Sequence, residues 1–457
     1  MSERAERAGR AGRSEGFEGF LRDVRRRVLP HAELSVVERL WRERLYRKLA
    51  NYLWVQFLMG RGATRMWGGH PYWLTLDPSN FCQLHCPFCP TGANKGTRNK
   101  AMMDFDHFKK FMDRVGPYVI RMELMNWGES LFNRRLPDMI AEAKRHGISL
   151  ELHENFNHVS EETVEKLVRS GLDVISISVD GLTQETYERY RVGGRLESVL
   201  ANLETLVRKR HELASPTPRI IWQFLVFRHN EHEVDRVEEF ARARGADDVR
   251  IKPPYLPTDE PFLAAWMPRD PRFQLYPVPP GPEPEGPAPM PNKGVRSSQA
   301  LRVRRFRPTQ ILRSAYLRDL LAMIDSPADA ARAAGMVGRA LVQWIRPESV
   351  EGHALIRARP GDTPGFCEWP WAGMTINPEG SVSPCCAIED QADDFGNVFA
   401  ERWSALWNGR SYRTARRHVR RFSRGKATIR TDSDHPCVRC TVIGNIRFDL
   451  NATRPSA

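Results

Sequence analysis

No stretch of the chain is long and apolar enough to cross a bilayer as a helix, which needs ~20 such residues. The most apolar stretch near the front, Leu49 to Met59, is shorter and holds Asn51 and Gln56. The first 30 residues are rich in Arg and Glu and lack an apolar h-region, so they do not read as a signal peptide. A soluble, cytoplasmic protein is expected. Cysteine is also scarce, with eight in 457 residues, which excludes a disulfide scaffold. The few cysteines are unevenly placed. Three stand at Cys82, Cys86 and Cys89, five between Cys367 and Cys440, and none lie between the groups. Such clusters, with no export signal, read as metal ligands.

What is present can build a core. Hydrophobic residues make up 41% of the chain, and its length predicts two to four structural units. The net charge is +13, from 69 basic and 56 acidic residues. That balance fits an anionic partner without choosing among nucleic acid, phosphorylated metabolite and membrane surface. Residues 1–16 carry almost no large apolar side chains and read as disordered. From Phe17 to Met66 the pattern is helical and reads as a helix packed on the next domain, while its basic face leaves peripheral membrane contact open as the alternative.

Strand and helix patterns then alternate. Apolar or β-branched runs occupy 72–76, 118–127, 148–152, 174–179, 220–227 and 249–251. Amphipathic stretches of helical period fall at about 104–116, 134–146, 160–170, 183–191, 195–212 and 232–244. This alternation predicts βαβ units and a parallel sheet. Six units suit an open, partial (β/α)6 TIM-like barrel better than a closed eightfold one. Residues 253–308 hold 15 of the 33 prolines and predict neither helix nor central strand. A helical pair is expected at about 311–324 and 328–345. The expected division is 1–70 extension, 71–256 core, 257–365 Pro-rich insert and helical segment, 366–445 Cys-rich domain and 446–457 tail.

The first cysteine group has the spacing C-x3-C-x2-C, within Asn80-Phe81-Cys82-Gln83-Leu84-His85-Cys86-Pro87-Phe88-Cys89-Pro90. Three thiolates on one tight loop can hold three irons of a 4Fe–4S cube and leave the fourth open. The loop follows the first strand, at the end where α/β barrels keep their chemistry. Zinc is the rival reading, but His85 adjoins Cys86, and adjacent residues rarely converge on one ion. Later come Trp127-Gly128-Glu129-Ser130, Ile177-Ser178-Val179-Asp180-Gly181 and Tyr190-Arg191-Val192-Gly193-Gly194, each at the end of a βα unit or just beyond it.

In this order and spacing, the motifs resemble the radical S-adenosylmethionine superfamily. The resemblance implies a 4Fe–4S cluster on Cys82, Cys86 and Cys89 whose open iron chelates S-adenosylmethionine. It implies reductive cleavage to a 5′-deoxyadenosyl radical that abstracts a substrate hydrogen. It places Gly128 and Glu129 at the methionine amine, Ser178 at the ribose, Arg191 toward the carboxylate and Phe88 against the adenine. Two positions depart from the family pattern. Ser130 replaces the usual Pro, and Glu154-Asn155-Phe156 replaces Thr-Asn-Gly.

The second cysteine group sits in Gly380-Ser381-Val382-Ser383-Pro384-Cys385-Cys386 and Cys437-Val438-Arg439-Cys440, with Gly396-Asn397-Val398 and Trp403 between. This resembles the SPASM/Twitch extension. Five cysteines allow one fully ligated auxiliary 4Fe–4S cluster, assigned to Cys367, Cys385, Cys437 and Cys440, with Cys386 spare and a Cys385/Cys386 exchange open. Zinc is a more serious rival here, because paired Cys is also zinc-like.

The basic stretch Arg410–Arg430 reads as a solvated helix face, or else as a dock for phosphate, acidic peptide or RNA. The preferred function is oxidation or remodelling of a small natural-product, sugar or cyclitol substrate. A reductant such as flavodoxin or ferredoxin is implied. Ribosomal-peptide modification is the near alternative. A zinc-stabilised nucleic-acid-binding protein is the alternative from another class, and it leaves the βα series unexplained.

Overall fold

The computed structural model describes residues 33–254, 256, 263–274, 366–424, 426–427, 430 and 433–440. The expectations for residues 1–16, the helical pair at 311–324 and 328–345, and the tail lie outside these.

Six βα units build the centre. The strands are β1 Trp73–Leu76, β2 Arg121–Leu124, β3 Ser149–Glu154, β4 Val174–Ser178, β5 Arg219–Leu225 and β6 Asp248–Lys252. Two helices precede them, α1 Leu34–Arg42 and α2 Tyr46–Gly60. The six crossovers carry α3 Phe105–Val115, α4 Leu136–Arg145, α5 Glu161–Arg169, α6 Gln184–Tyr190, α7 Leu196–Glu212 and α8 Val234–Arg242. Local chemistry sets the helix starts. Asp104 accepts from His107 N at 2.9 Å, Ser160 accepts from Thr163 N, and Thr183 with Thr186 forms a reciprocal capping box.

All six strands are parallel and paired in sequence order. The sheet does not close on itself. Beyond β1 it gains β7 Gly373–Ile376, parallel to β1, and β8 Val382–Ser383, antiparallel to β7. The final order is β6-β5-β4-β3-β2-β1-β7-β8. An open, partial α/β barrel is therefore correct, with the Cys-rich segment at its C-terminal side. Two strands of that segment extend the barrel sheet.

Each strand alternates two faces. Leu74, Met122, Leu150, Ile175, Ile220 and Trp222 are almost wholly buried, and Trp222 meets Phe240 of α8 edge-on at 5.7 Å, so this face meets the helices. Burying one such side chain stabilises by about 1.5–3 kcal/mol. The opposite, concave face is polar: Thr75, Glu123, Glu151, His153, Ser176 and Gln223 share it by register.

Three expectations change in detail. The N-terminal helical stretch is broken at Arg44 (φ 60°), and α2 buries Leu49, Tyr52, Val55 and Met59 in the main core. That burial is the packing on the next domain that the sequence favoured. Within the Pro-rich segment, Leu263–Trp266 forms the one-turn helix α9, because prolines flank that stretch without entering it. After α10 Trp369–Ala372 and α11 Trp403–Trp407, the basic helix α12 Arg410–Phe422 is only partly solvated. Arg416 is fully buried, donates to Pro370 O at 2.7 Å and lies 4.5 Å over the Trp407 ring. Arg420 donates to Gly62 O at 3.2 Å, while Arg417, Arg421 and Arg424 remain exposed.

Candidate iron–sulfur and cofactor site

The loop after β1 is held tightly at both ends. His85 N donates to Val192 O at 2.9 Å and Cys89 N to Cys86 O at 3.2 Å. Gly92 is required where it stands, since a Cβ there would meet Cys86 N at 2.5 Å. Burial pushes the Cys82 thiol up to about 11 and the Cys86 thiol up to about 12. A thiolate in such surroundings needs a cation beside it, which a metal supplies.

Glu129 arrives from the end of β2. Its N donates to Phe81 O at 2.7 Å on the cysteine loop. The preceding Gly128 lies so close to that loop that a Cβ would sit 1.7 Å from Ser79 O. Only Gly permits so close a backbone approach. The Glu129 carboxylate is buried and accepts three hydrogen bonds. These come from Asn155 N at 3.0 Å, Asn155 Nδ2 at 2.6 Å and Phe156 N at 3.2 Å.

The departure at Glu154-Asn155-Phe156 proves compatible with this geometry. Phe156 adopts the left-handed conformation (φ 57°) that a Gly would take freely, and it buries its ring completely. The backbone cost is about 1–2 kcal/mol, comparable with the gain from burying the ring. Asn155 links the two halves of the site. Its Nδ2 lies 3.7 Å from Cys82 Sγ, and its Oδ1 accepts from Gln83 Nε2 at 2.9 Å. Glu154 is buried beside Glu129. Burial, then the Glu129 charge, push its carboxyl well above the usual range, so Glu154 keeps its proton.

The remaining predicted residues sit as follows. Ser178 is near-buried on the concave face, with Gln223 Nε2 at 3.5 Å from its Oγ. Arg191 is committed to Asp180, Nε to Oδ2 at 2.6 Å, and Asp180 Oδ1 accepts from Leu225 N at 2.7 Å. The sequence pattern did not disclose that pairing. Phe88 meets Trp266 edge-on at 5.2 Å, in a small aromatic cluster with Tyr190 and Phe227.

Asp77 was also missed. It ends β1, is fully buried, and accepts from Trp127 N at 3.2 Å, while Oδ1 has no partner among the protein atoms. Burial raises its pKa from 3.8 to about 7. The folded state holds this proton more tightly than the unfolded chain does. Its contribution to stability is therefore full below about pH 4 and is lost as pH rises through about 7. Asp77→Asn should remove that slope and stabilise the fold at pH 8 by a few kcal/mol. Each tenfold difference in proton affinity between the folded and unfolded chain is worth about 1.4 kcal/mol. Thermal melts at pH 5 and pH 8 check this, and an unchanged slope would refute it.

The second cysteine set lies at the other end of the sheet. Burial raises the Cys385 thiol to about 12 and pushes those of Cys367 and Cys437 well up too. Cys437 opens the short helix α13 Pro436–Arg439, which packs on α12. Burial, then the charges of Cys385, Cys367 and Cys440, raise the Cys437 thiol. Cys386 senses Cys385 and Cys367 but also Glu123 on the barrel's inner face. Arg98 ties the two ends together, with both Nη atoms on Asp394 at 2.7 and 2.9 Å. Trp127 Nε1 donates to Ile388 O at 3.0 Å.

The eight cysteines are all thiols, the donor type that iron–sulfur clusters take. A tetrahedral zinc with ~2.3 Å bonds would hold its sulfurs about 3.8 Å apart. Among the described residues, no three cysteine sulfurs lie within 4.8 Å of one another.

Comparison with known proteins agrees. The model of the Radical SAM superfamily matches residues 76–241, and that of the SPASM iron-sulfur cluster-binding domain matches residues 367–441. Residues 76–241 are thus a radical SAM domain and residues 367–441 a SPASM domain. The two domains imply 4Fe–4S clusters and S-adenosylmethionine as cofactors.

An AdoMet-dependent heme synthase of Methanosarcina barkeri is 26% identical over 166 residues, 36% of this chain and 45% of the relative. A tungsten-containing aldehyde ferredoxin oxidoreductase cofactor-modifying protein of Pyrococcus furiosus is 25% identical over 182 residues, 39% of this chain and 50% of the relative. The chain thus spans about half the length of these curated relatives. Among solved structures, Streptococcus suis SuiB bound to S-adenosylmethionine has a TM-score of 0.46 at 13% identity, over 76% of this chain and 68% of that one. No helix among the described residues is long and apolar enough to cross a membrane.

Proposed function

We propose that this radical SAM protein cleaves S-adenosylmethionine reductively and abstracts a hydrogen from a small polar substrate. The observation that carries the reading is the joining of the cysteine loop to Glu129 through Asn155, which touches both. When bound, the cluster and S-adenosylmethionine supply a 5′-deoxyadenosyl radical. Cys82, Cys86 and Cys89 would hold the open cluster. Glu129, pre-oriented by three donors, would take the methionine ammonium, whose positive charge would offset the upward push of burial on its carboxyl. Ser178 would meet the ribose. Arg191 stands near the cofactor but spends its charge on Asp180, so it positions the loop after α6 more than it binds the carboxylate. Phe88, with Trp266 at its edge, offers an apolar wall for the adenine.

Cys367, Cys385, Cys437 and Cys440 would hold one auxiliary cluster. Four thiol ligands leave no iron open, which suits electron transfer or support. A flavodoxin or ferredoxin would serve as reductant, in a reducing compartment such as the cytoplasm. Residues 71–256 and 366–445 are taken as the two functional units.

The test is direct. Anaerobically reconstituted protein should be brown and should form 5′-deoxyadenosine with dithionite. A colourless zinc protein without cleavage would sink the reading. For the auxiliary site, the Cys82/Cys86/Cys89 triple Ala variant should keep about half of the iron and sulfide, as one of two cubes remains. Adding Cys385→Ala should remove most of the rest, whereas adding Cys386→Ala should not. A triple variant devoid of iron and sulfide would overturn the auxiliary assignment.

A further inference from the structure

The inner face of the open barrel differs chemically from a packed barrel interior. Closed barrels fill that space with layers of branched aliphatic side chains. Here it carries Arg121, Glu123, Glu151, His153, Arg250 and Lys252. Arg250 on β6 pairs with Glu151 on β3, although β4 and β5 lie between them. The contact therefore crosses the concave side, and these groups share one space.

Their charges nearly balance. Glu151 is fully buried and ion-paired with Arg121 and Arg250, with His153 Nε2 at 3.1 Å. Arg121 also reaches Glu123 at 3.3 Å. Two carboxylates are thus matched by two guanidinium groups. Glu123, Glu151 and His153 lie close enough to hold a cation, but that charge is already neutralised.

Lys252 is the surplus. It lies exposed at the C-terminal end of β6 and forms no ion pair among the described residues, although the Glu151 and Glu123 charges reach it, while partial burial and the Arg250 charge lower its pKa. Its hydrogen bond goes to Gln223 Oε1 at 3.3 Å. On the same face, the fully buried hydroxyls of Thr75, Thr375 and Ser176 have no hydrogen-bond partner among the protein atoms. Buried polar groups rarely stay unpaired, so these await water or a ligand.

We propose that this inner face binds a small hydrophilic anion, a carboxylate or phosphate on a hydroxylated frame, whose anionic group pairs with Lys252. The proposal rests on the radical reading of the site, because Ser178 shares this face and the substrate must approach the cofactor there. It deepens that reading by assigning a substrate class. Gln223 lies between Ser178 and Lys252, in contact with both, and so spaces the anionic end from the cofactor end.

The test uses the reconstituted holoenzyme with inorganic phosphate and, separately, acetate as probes. Amines are trace-labelled with an N-hydroxysuccinimide ester, and the extent at each lysine is read by peptide mass spectrometry. Either probe should slow labelling of Lys252 saturably, while Lys166, exposed on α5, labels unchanged. Protection by phosphate alone assigns a phosphate; protection by acetate alone assigns a carboxylate. In equilibrium titrations, Lys252→Met should weaken binding of the protecting anion by about tenfold or more, as expected for one lost charge-assisted hydrogen bond. Lys252→Arg should retain most of it. Failure of both anions to protect Lys252, or Lys252→Met binding as the parent does, would overturn the proposal. Cleavage of S-adenosylmethionine is measured on the same preparation. Cleavage without protection removes only the anion site, and protection without cleavage removes only the radical reading.

Discussion

Cys89→Ala should reduce formation of 5′-deoxyadenosine to background, a fall of at least ~10³-fold, or about 4 kcal/mol in barrier terms. Cys89 is one of three thiols on a loop fixed by the Cys89 N to Cys86 O hydrogen bond. The loop holds no fourth cysteine, and its His85 is exposed beside Gly193. Loss of one thiol leaves two for a cube that needs three. Iron content should fall at this site while the auxiliary set keeps its iron, so the protein stays coloured as it loses turnover. Anaerobic assay with dithionite reads the first effect and iron analysis the second. Retained turnover would refute the loop assignment.

Arg191→Met should destabilise the fold by about 3–5 kcal/mol, because it strips the partner from a fully buried carboxylate. Asp180 is inaccessible to solvent and would keep only the Leu225 N donor on its other oxygen. Denaturant unfolding of the apoprotein measures the loss. The double variant Asp180→Asn with Arg191→Met should recover a large part of it, since no uncompensated charge remains. If the double variant regains stability but not cleavage, Arg191 also serves the cofactor. If both return, its part is structural. A single variant as stable as the parent would contradict the pairing.

Much of the site was legible because its motifs are short. Cys82, Cys86 and Cys89 span eight residues, and a C-x3-C-x2-C loop carries its chemistry in its spacing. The Gly128-Glu129 pattern was legible for the same reason, and the structure explains the Gly by a backbone approach of the kind only Gly permits. The strands were visible because the helix-facing positions are uniformly apolar. Their other face misled. The stretch 118–127 read as an apolar run, yet Arg121 and Glu123 within it face the barrel interior beside Glu151. A strand with charges on alternate positions looks solvent-facing when read alone, and a polar concave face gives the same pattern.

The sequence by itself determined the βα alternation, the two cysteine groups and their split of three and five. These depend on local spacing, which survives without the fold. Only the tertiary structure decided the rest. It carried β7 to β1 across about 300 residues and joined the two cysteine regions through Arg98 and Asp394. It committed Arg191 to Asp180, turned the Phe156 backbone to serve Glu129, and set Arg250 against Glu151 across the barrel. Each of these is a contact between separate elements. Its energy depends on burial and on the charges nearby, and neither is set by neighbours along the chain.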